Sequence, residues 1–66
     1  MIVNSVREAR AHAGITQEVL AEKCGVSRQT IIALEKNGYE PSLGLALRLC
    51  REFGLPAEGL FELVDT

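Results

Sequence analysis

The chain has 66 residues, seven of them Lys or Arg against nine Asp or Glu, for a formal net charge of −2. One domain of this size buries only roughly 60% of the surface its unfolded chain exposes, so a disulfide, a metal or a partner subunit is expected to support it. Cys24 and Cys50 are no secreted disulfide framework, and neither has a second cysteine or a histidine at metal-ligand spacing, which leaves oligomerisation.

The opening residues, MIVNSVREAR, reach charge too early for a signal peptide, and no later run approaches the length of a membrane span. A cytoplasmic protein with reduced thiols is expected. Five helical segments follow, with no linker or repeat between them. The first runs from Ser5 to Ala13 and stops at Gly14. The second is capped by Thr16, carries Glu18 in its first turn and continues to Cys24. Ser27 caps the third, which runs as far as Asn37 and ends on the Asn37-Gly38 pair. Glu40-Pro41-Ser42 breaks the chain and caps a fourth helix, Leu43 to Phe53. There Leu43, Ala46, Leu47, Cys50 and Phe53 fall at core spacing, and Leu45 projects away. Pro56 opens a fifth helix that ends near Leu60 or Phe61. The two ends, Ile2-Val3-Asn4 and Phe61-Glu62-Leu63-Val64, are β-compatible and too brief to stand separately, so a short antiparallel two-stranded sheet is expected from them. The expected fold is all-α: a five-helix bundle in one domain, residues 1–66.

The second and third helices, joined by a short turn containing Gly25, describe a helix-turn-helix. Gly25 takes a positive φ cheaply, Ala21 is small where the helices must cross, and Val26, Ile31 and Leu34 are apolar where the later helix must pack. Stepping about 100° per residue from Ile31 puts Leu34 and Ser27 on the inward side. Gln29, Ala33 and Lys36 lie opposite, with Ile32 next to them and Arg28 at the flank. A wet helix has little reason to show Ile32. A major groove does, because thymine offers a methyl group there, while Gln pairs with adenine and Arg with guanine. Charge placement agrees: residues 1–39 carry a net +1 and residues 40–66 a net −3, so the first part offers a locally positive face despite the acidic total. The same wheel places Glu35 only about 40° from Ile31, where an unpaired carboxylate is costly. Arg10 lies equally near the inward side of the first helix. An Arg10–Glu35 ion pair that fixes the first helix against the third is expected.

The run TQEVLAEKCGVSRQTIIALEKNGYEPSLGLALRLCREFG resembles the Cro/repressor (Xre-like) family of helix-turn-helix transcription regulators. The resemblance covers residues 4–61 and implies a lambda-repressor-like fold. In length and in both tails the chain is similar to the family's small dimeric members, of the cytolysin-operon repressor type. It implies that Gln17 holds a phosphate, that Arg28, Gln29 and Thr30 meet base edges or nearby phosphates, and that Lys36, Asn37 and Tyr39 grip the backbone. Ala33 stands where phage relatives often carry a polar base contact, so one hydrogen bond to the operator is missing there. The Arg10–Glu35 pair also matches a structural pair of phage members.

Leu45, Ala57, Leu60, Phe61 and Leu63 exceed what a small core absorbs, and a two-fold homodimer interface is expected among them. Two recognition helices would then sit about 34 Å apart on a palindromic site. Cys24 and Cys50 fit structural packing, and His12 a surface. No catalytic constellation, cofactor motif or metal set is present in the sequence. The expected function is a DNA-binding transcriptional repressor. The alternative is an antitoxin or interaction module that neutralises a partner protein through the Leu60-Phe61-Leu63 cluster.

Overall fold

The structure, a computed structural model, describes residues 1–65. Its elements run β1 (Ile2–Asn4), α1 (Val6–Ala13), α2 (Gln17–Cys24), α3 (Arg28–Glu35), α4 (Leu43–Phe53), α5 (Ala57–Leu60) and β2 (Phe61–Leu63). Five helices and a two-stranded antiparallel sheet thus appear where the residue pattern places them. Thr16, Ser27 and Ser42 each turn a side-chain oxygen to the backbone N–H three residues on, at Val19, Thr30 and Leu45, and so start α2, α3 and α4. The strands pair in the register Ile2 to Leu63, Val3 to Glu62 and Asn4 to Phe61. Two further bonds lock them: Ser5 N–H donates to the Leu60 carbonyl and Val64 N–H to that of Met1.

α3 is shorter than its sequence pattern suggests. It ends at Glu35, and Asn37, at φ 57°, takes the left-handed turn ahead of Gly38. Asparagine tolerates that conformation better than other side chains do, and here a partner holds it there. The Asn4 backbone N–H and side-chain amide both donate to Asn37 Oδ1, at 3.0 and 3.1 Å, and the Asn4 amide also donates to the Leu34 carbonyl at 2.9 Å. The Asn4 Oδ1 accepts the Val6 N–H. One residue therefore opens α1 and closes α3.

The core is Val6, Leu20, Ala21, Cys24, Ile31, Leu34, Leu45, Leu49 and Leu60, with Ala9, Ile15, Val26, Cys50, Phe53 and Phe61 packed on its margin. On α4 this corrects the residue-spacing reading. Leu45 and Leu49 face inward at 7% and 0% exposure, whereas Leu43 and Leu47, expected inside, are 74% and 54% exposed. The cause is that α4 is apolar over more than half its circumference, so spacing alone allows two choices of inner face. Arg48, beside that inner face, donates from Nη1 to the Cys24 carbonyl at 3.1 Å, a bond at the end of α2 that is compatible with Leu45 and Leu49 facing the bundle. Leu60 is likewise core, at 1% exposure, so neither Leu45 nor Leu60 is free for a subunit contact.

Leu45→Ala should therefore cost about 2–4 kcal/mol of unfolding free energy, as truncation of a buried leucine does. Urea melts measure this, and a loss below about 0.5 kcal/mol, the surface-substitution range, would put Leu45 outside the core.

Candidate nucleic-acid interface

The turn between α2 and α3 depends on Gly25, at φ 70°, whose N–H donates to the Glu22 carbonyl. A β-carbon there would be strained at this φ wherever it found space. Val26 N–H then donates to the Ala21 carbonyl, and Ala21, 3% exposed, lets the two helices approach closely. α3 is thus presented across α2, its Ile31 and Leu34 edge buried.

Three side chains lock that presentation. Arg10 of α1 donates from Nε to Glu35 Oε2 at 2.7 Å and from Nη2 to Oε1 at 3.2 Å. Gln17 of α2 donates from Nε2 to the same Oε1 at 3.1 Å. Arg10 Nη1 reaches the Ile15 carbonyl at 3.0 Å, tying in the α1–α2 connection. The Glu35 side chain is only 4% exposed, and no buried side-chain polar atom among the described residues lacks a partner. Burial pushes the Glu35 carboxyl up, but hydrogen bonds from Arg10 and Gln17 and the nearby Arg10 and Arg7 charges outweigh it, leaving it below the usual carboxylate range. Its hydrogen bonds with Glu35 hold the Arg10 guanidinium more firmly protonated than usual, against a smaller opposing effect of burial.

Around this lock lies an open groove of about 770 Å³. Arg7, Arg10, Gly14 and Ile15 line one wall, Thr16, Gln17 and Glu18 the start of α2, and Arg28, Ile32, Glu35 and Lys36 the α3 wall. Two ion pairs occur among the described residues, Arg10–Glu35 and Lys23–Glu52. Arg7, Arg28 and Lys36 belong to neither, so the groove is cationic in a chain whose total charge is negative.

Of the residues singled out from the sequence, Arg28, Gln29 and Lys36 are exposed along α3. Ile32 is half-buried. It lies on the groove side, about 100° round from Ile31, and is not part of the fully open crest that the pattern suggested. Ala33 is half-buried too, under the α3 C-terminus, where its carbonyl accepts the Gly38 N–H. The Thr30 hydroxyl shares a 3.0 Å hydrogen bond with that of Ser27 and so serves the helix start. Gln17 gives one amide hydrogen to Glu35, and Asn37 spends its carbonyl oxygen on Asn4. Tyr39 is 37% exposed in the segment after α3.

Ala57 and Leu63 are open, and Phe61 is half-buried. Arg7 was missed by the sequence reading. Its signal was present: Arg7 and Arg10 stand three residues apart and share a helix face. His12 is exposed, and burial raises both cysteine thiols, which favours their protonated form. No group of three His, Cys, Asp or Glu among the described residues is placed to hold a metal.

Residues 6–60 match a family model described as helix-turn-helix. A Bacillus subtilis chain named as the uncharacterized HTH-type transcriptional regulator YgzD is 50% identical over 62 residues, 94% of each chain. The uncharacterized HTH-type transcriptional regulator MJ0272 of Methanocaldococcus jannaschii is 52% identical over 62 residues, again 94% of each. Among solved structures, one from Bacteroides fragilis described as a candidate DNA-binding protein superposes with a TM-score of 0.83 at 26% identity, covering 94% of this chain and all of that one. A hypothetical transcription factor from Neisseria, NHTF, gives 0.75 at 28% identity over 82% of this chain and 61% of its own.

The lock makes an asymmetric prediction. Arg10→Ala or Glu35→Ala alone should cost on the order of 2–3 kcal/mol, because each strands a charge, while Arg10→Met with Glu35→Leu should cost less than either. Since Glu35 titrates lower folded than unfolded, its stabilisation is complete above the ordinary carboxylate range and lost as pH falls through its folded value. Acid melts of Glu35→Gln should therefore show a flatter decline than wild type. Equal costs for single and double variants would remove the lock.

Proposed function

The chain belongs to the helix-turn-helix family of transcriptional regulators, of the Cro/repressor (Xre-like) kind, and we propose that it is a homodimeric repressor reading a palindromic operator with α3. The observation that carries this reading is the juxtaposition of the cationic groove with the exposed Arg28 and Gln29 at the α3 N-terminal end. Arg28 and Gln29 present the donors that match guanine and adenine in a major groove. Ile32, with one side open, offers a methyl surface to a base beside them. Lys36 and Tyr39 follow at the far end, placed to hold backbone phosphate, which positions the helix without specifying sequence. Thr16, which caps α2, and Gln17 line the groove at the start of that helix, a setting that favours another phosphate. Asn37 contributes indirectly in this reading, by holding the end of α3.

Dimerisation follows from size and from what the bundle leaves uncovered. With Leu45 and Leu60 inside, the most open apolar side chains include Leu43 and Leu47 on α4 and Leu63 on β2, and toward the C-terminal end Leu55 and Ala57 are also exposed and Phe61 half-buried. A second copy related by a two-fold axis is the occupant we assign to that surface, because a self-complementary contact doubles the recognition element. The protein would work in the cytoplasm, at the chromosome. No helix among the described residues is long and apolar enough to cross a membrane. An antitoxin role, the alternative, draws on the Leu60-Phe61-Leu63 cluster, of which Leu60 is buried while Phe61 is half-buried and Leu63 open.

Selection of duplexes from a random pool at about 100 mM salt should enrich two inverted half-sites whose centres lie one helical turn apart. Against the selected duplex, Arg28→Ala and Gln29→Ala should each cost about 1–3 kcal/mol and relax preference at single base pairs, whereas Lys36→Ala should weaken every sequence evenly. Enrichment of no sequence at all would contradict the proposal, and a single unrepeated half-site would contradict its dimer.

A further inference from the structure

We infer that Arg7, on α1, is a phosphate clamp of the DNA interface, so that the surface spans three helices and closes on the backbone from the side opposite α3. The inference rests on the DNA-binding reading and extends it to a residue outside the helix-turn-helix. Arg7 and Arg10 stand one turn apart on α1, and both line the groove, yet their side chains are committed differently. Arg10 spends Nε, Nη1 and Nη2 on Glu35 and Ile15. Arg7 is exposed and takes part in no ion pair and no side-chain hydrogen bond among the described residues. Glu35, whose carboxylate the Arg7 charge reaches, is already neutralised by Arg10 and held by Gln17.

Across the groove stand Arg28 and Lys36, also outside any ion pair among the described residues, and between them the α2 N-terminus opens. An anionic strand lying along α3 would be flanked by cations on both sides. Glu18 at the groove's edge is the one lining carboxylate not neutralised in an ion pair. Gln17, with part of its amide bound to Glu35, offers a single hydrogen there, so the charge needed on the α1 side has to come from Arg7.

Fluorescence anisotropy with the selected duplex, titrated across salt concentrations, tests this. For Arg7→Ala the slope of log affinity against log salt should become shallower by about 0.9 per bound protomer, because one phosphate fewer is neutralised. The wild-type advantage should accordingly shrink by roughly 3-fold per protomer between 50 and 200 mM salt. The loss should be the same on a scrambled duplex, and Arg7→Lys should restore the slope because a point charge suffices. Melting midpoints of both variants should stay close to wild type, since Arg7 is exposed and Arg7→Ala gives up only a solvent-screened charge interaction with Glu35. If wild type binds with a normal salt slope and Arg7→Ala reproduces it, the clamp is wrong and the DNA reading stands. If wild type itself shows no salt-dependent binding, the DNA reading fails and takes the clamp with it.

Discussion

The carboxylate of Glu35 is the point on which the arrangement turns. It sits on α3, almost without access to water, and receives hydrogen bonds from α1 through Arg10 and from α2 through Gln17. A short bundle with nine core residues has little packing to spare for fixing angles between helices. A charged, directional junction does that work at modest net stabilisation, because the ions must first be desolvated. What it provides is definition. Three helices are held at one mutual orientation, and the groove between them keeps its shape before any partner arrives.

The same end of α3 is held by different means as well. Asn4 bridges the start of α1, the Leu34 carbonyl of α3 and the left-handed Asn37, while its own strand pairs with β2. α3 is therefore anchored by polar groups from β1, α1 and α2, and along its inner edge by Ile31 and Leu34. Preorganisation of this kind limits the ordering cost of binding, which favours rigid docking over folding on the target. The neutralised Glu35 also explains how an acidic chain presents a basic surface: Arg10 cancels the buried carboxylate, and Arg7, Arg28 and Lys36 remain.

The sequence was most legible where the chemistry is local. Thr16, Ser27 and Ser42 are each followed by a helix, Gly25 by a turn at positive φ, and the Arg10–Glu35 contact came from two helical wheels and the cost of an unpaired buried charge. It was least legible where a helix offers two apolar faces. On α4 the wheel permits either Leu43 with Leu47 or Leu45 with Leu49 inside, and the choice rests on tertiary packing, with Arg48 bonded to the Cys24 carbonyl beside the buried face. The same limit hid the burial of Leu60 and the half-burial of Ile32, since both depend on how neighbouring elements lean. Asn4 carried no sequence signal for its double role, which requires knowing that β1 runs beside the end of α3.

Backbone amide chemical shifts, followed by NMR as an operator duplex is added, address the central claim that the outer side of α3 and the facing α1–α2 wall form one contact surface. The largest changes are expected at residues 28–36, the α2 start and Arg7, with the buried Leu45 and Leu49 turn of α4 nearly unmoved. Changes concentrated on α5 and β2, with α3 silent, would contradict it.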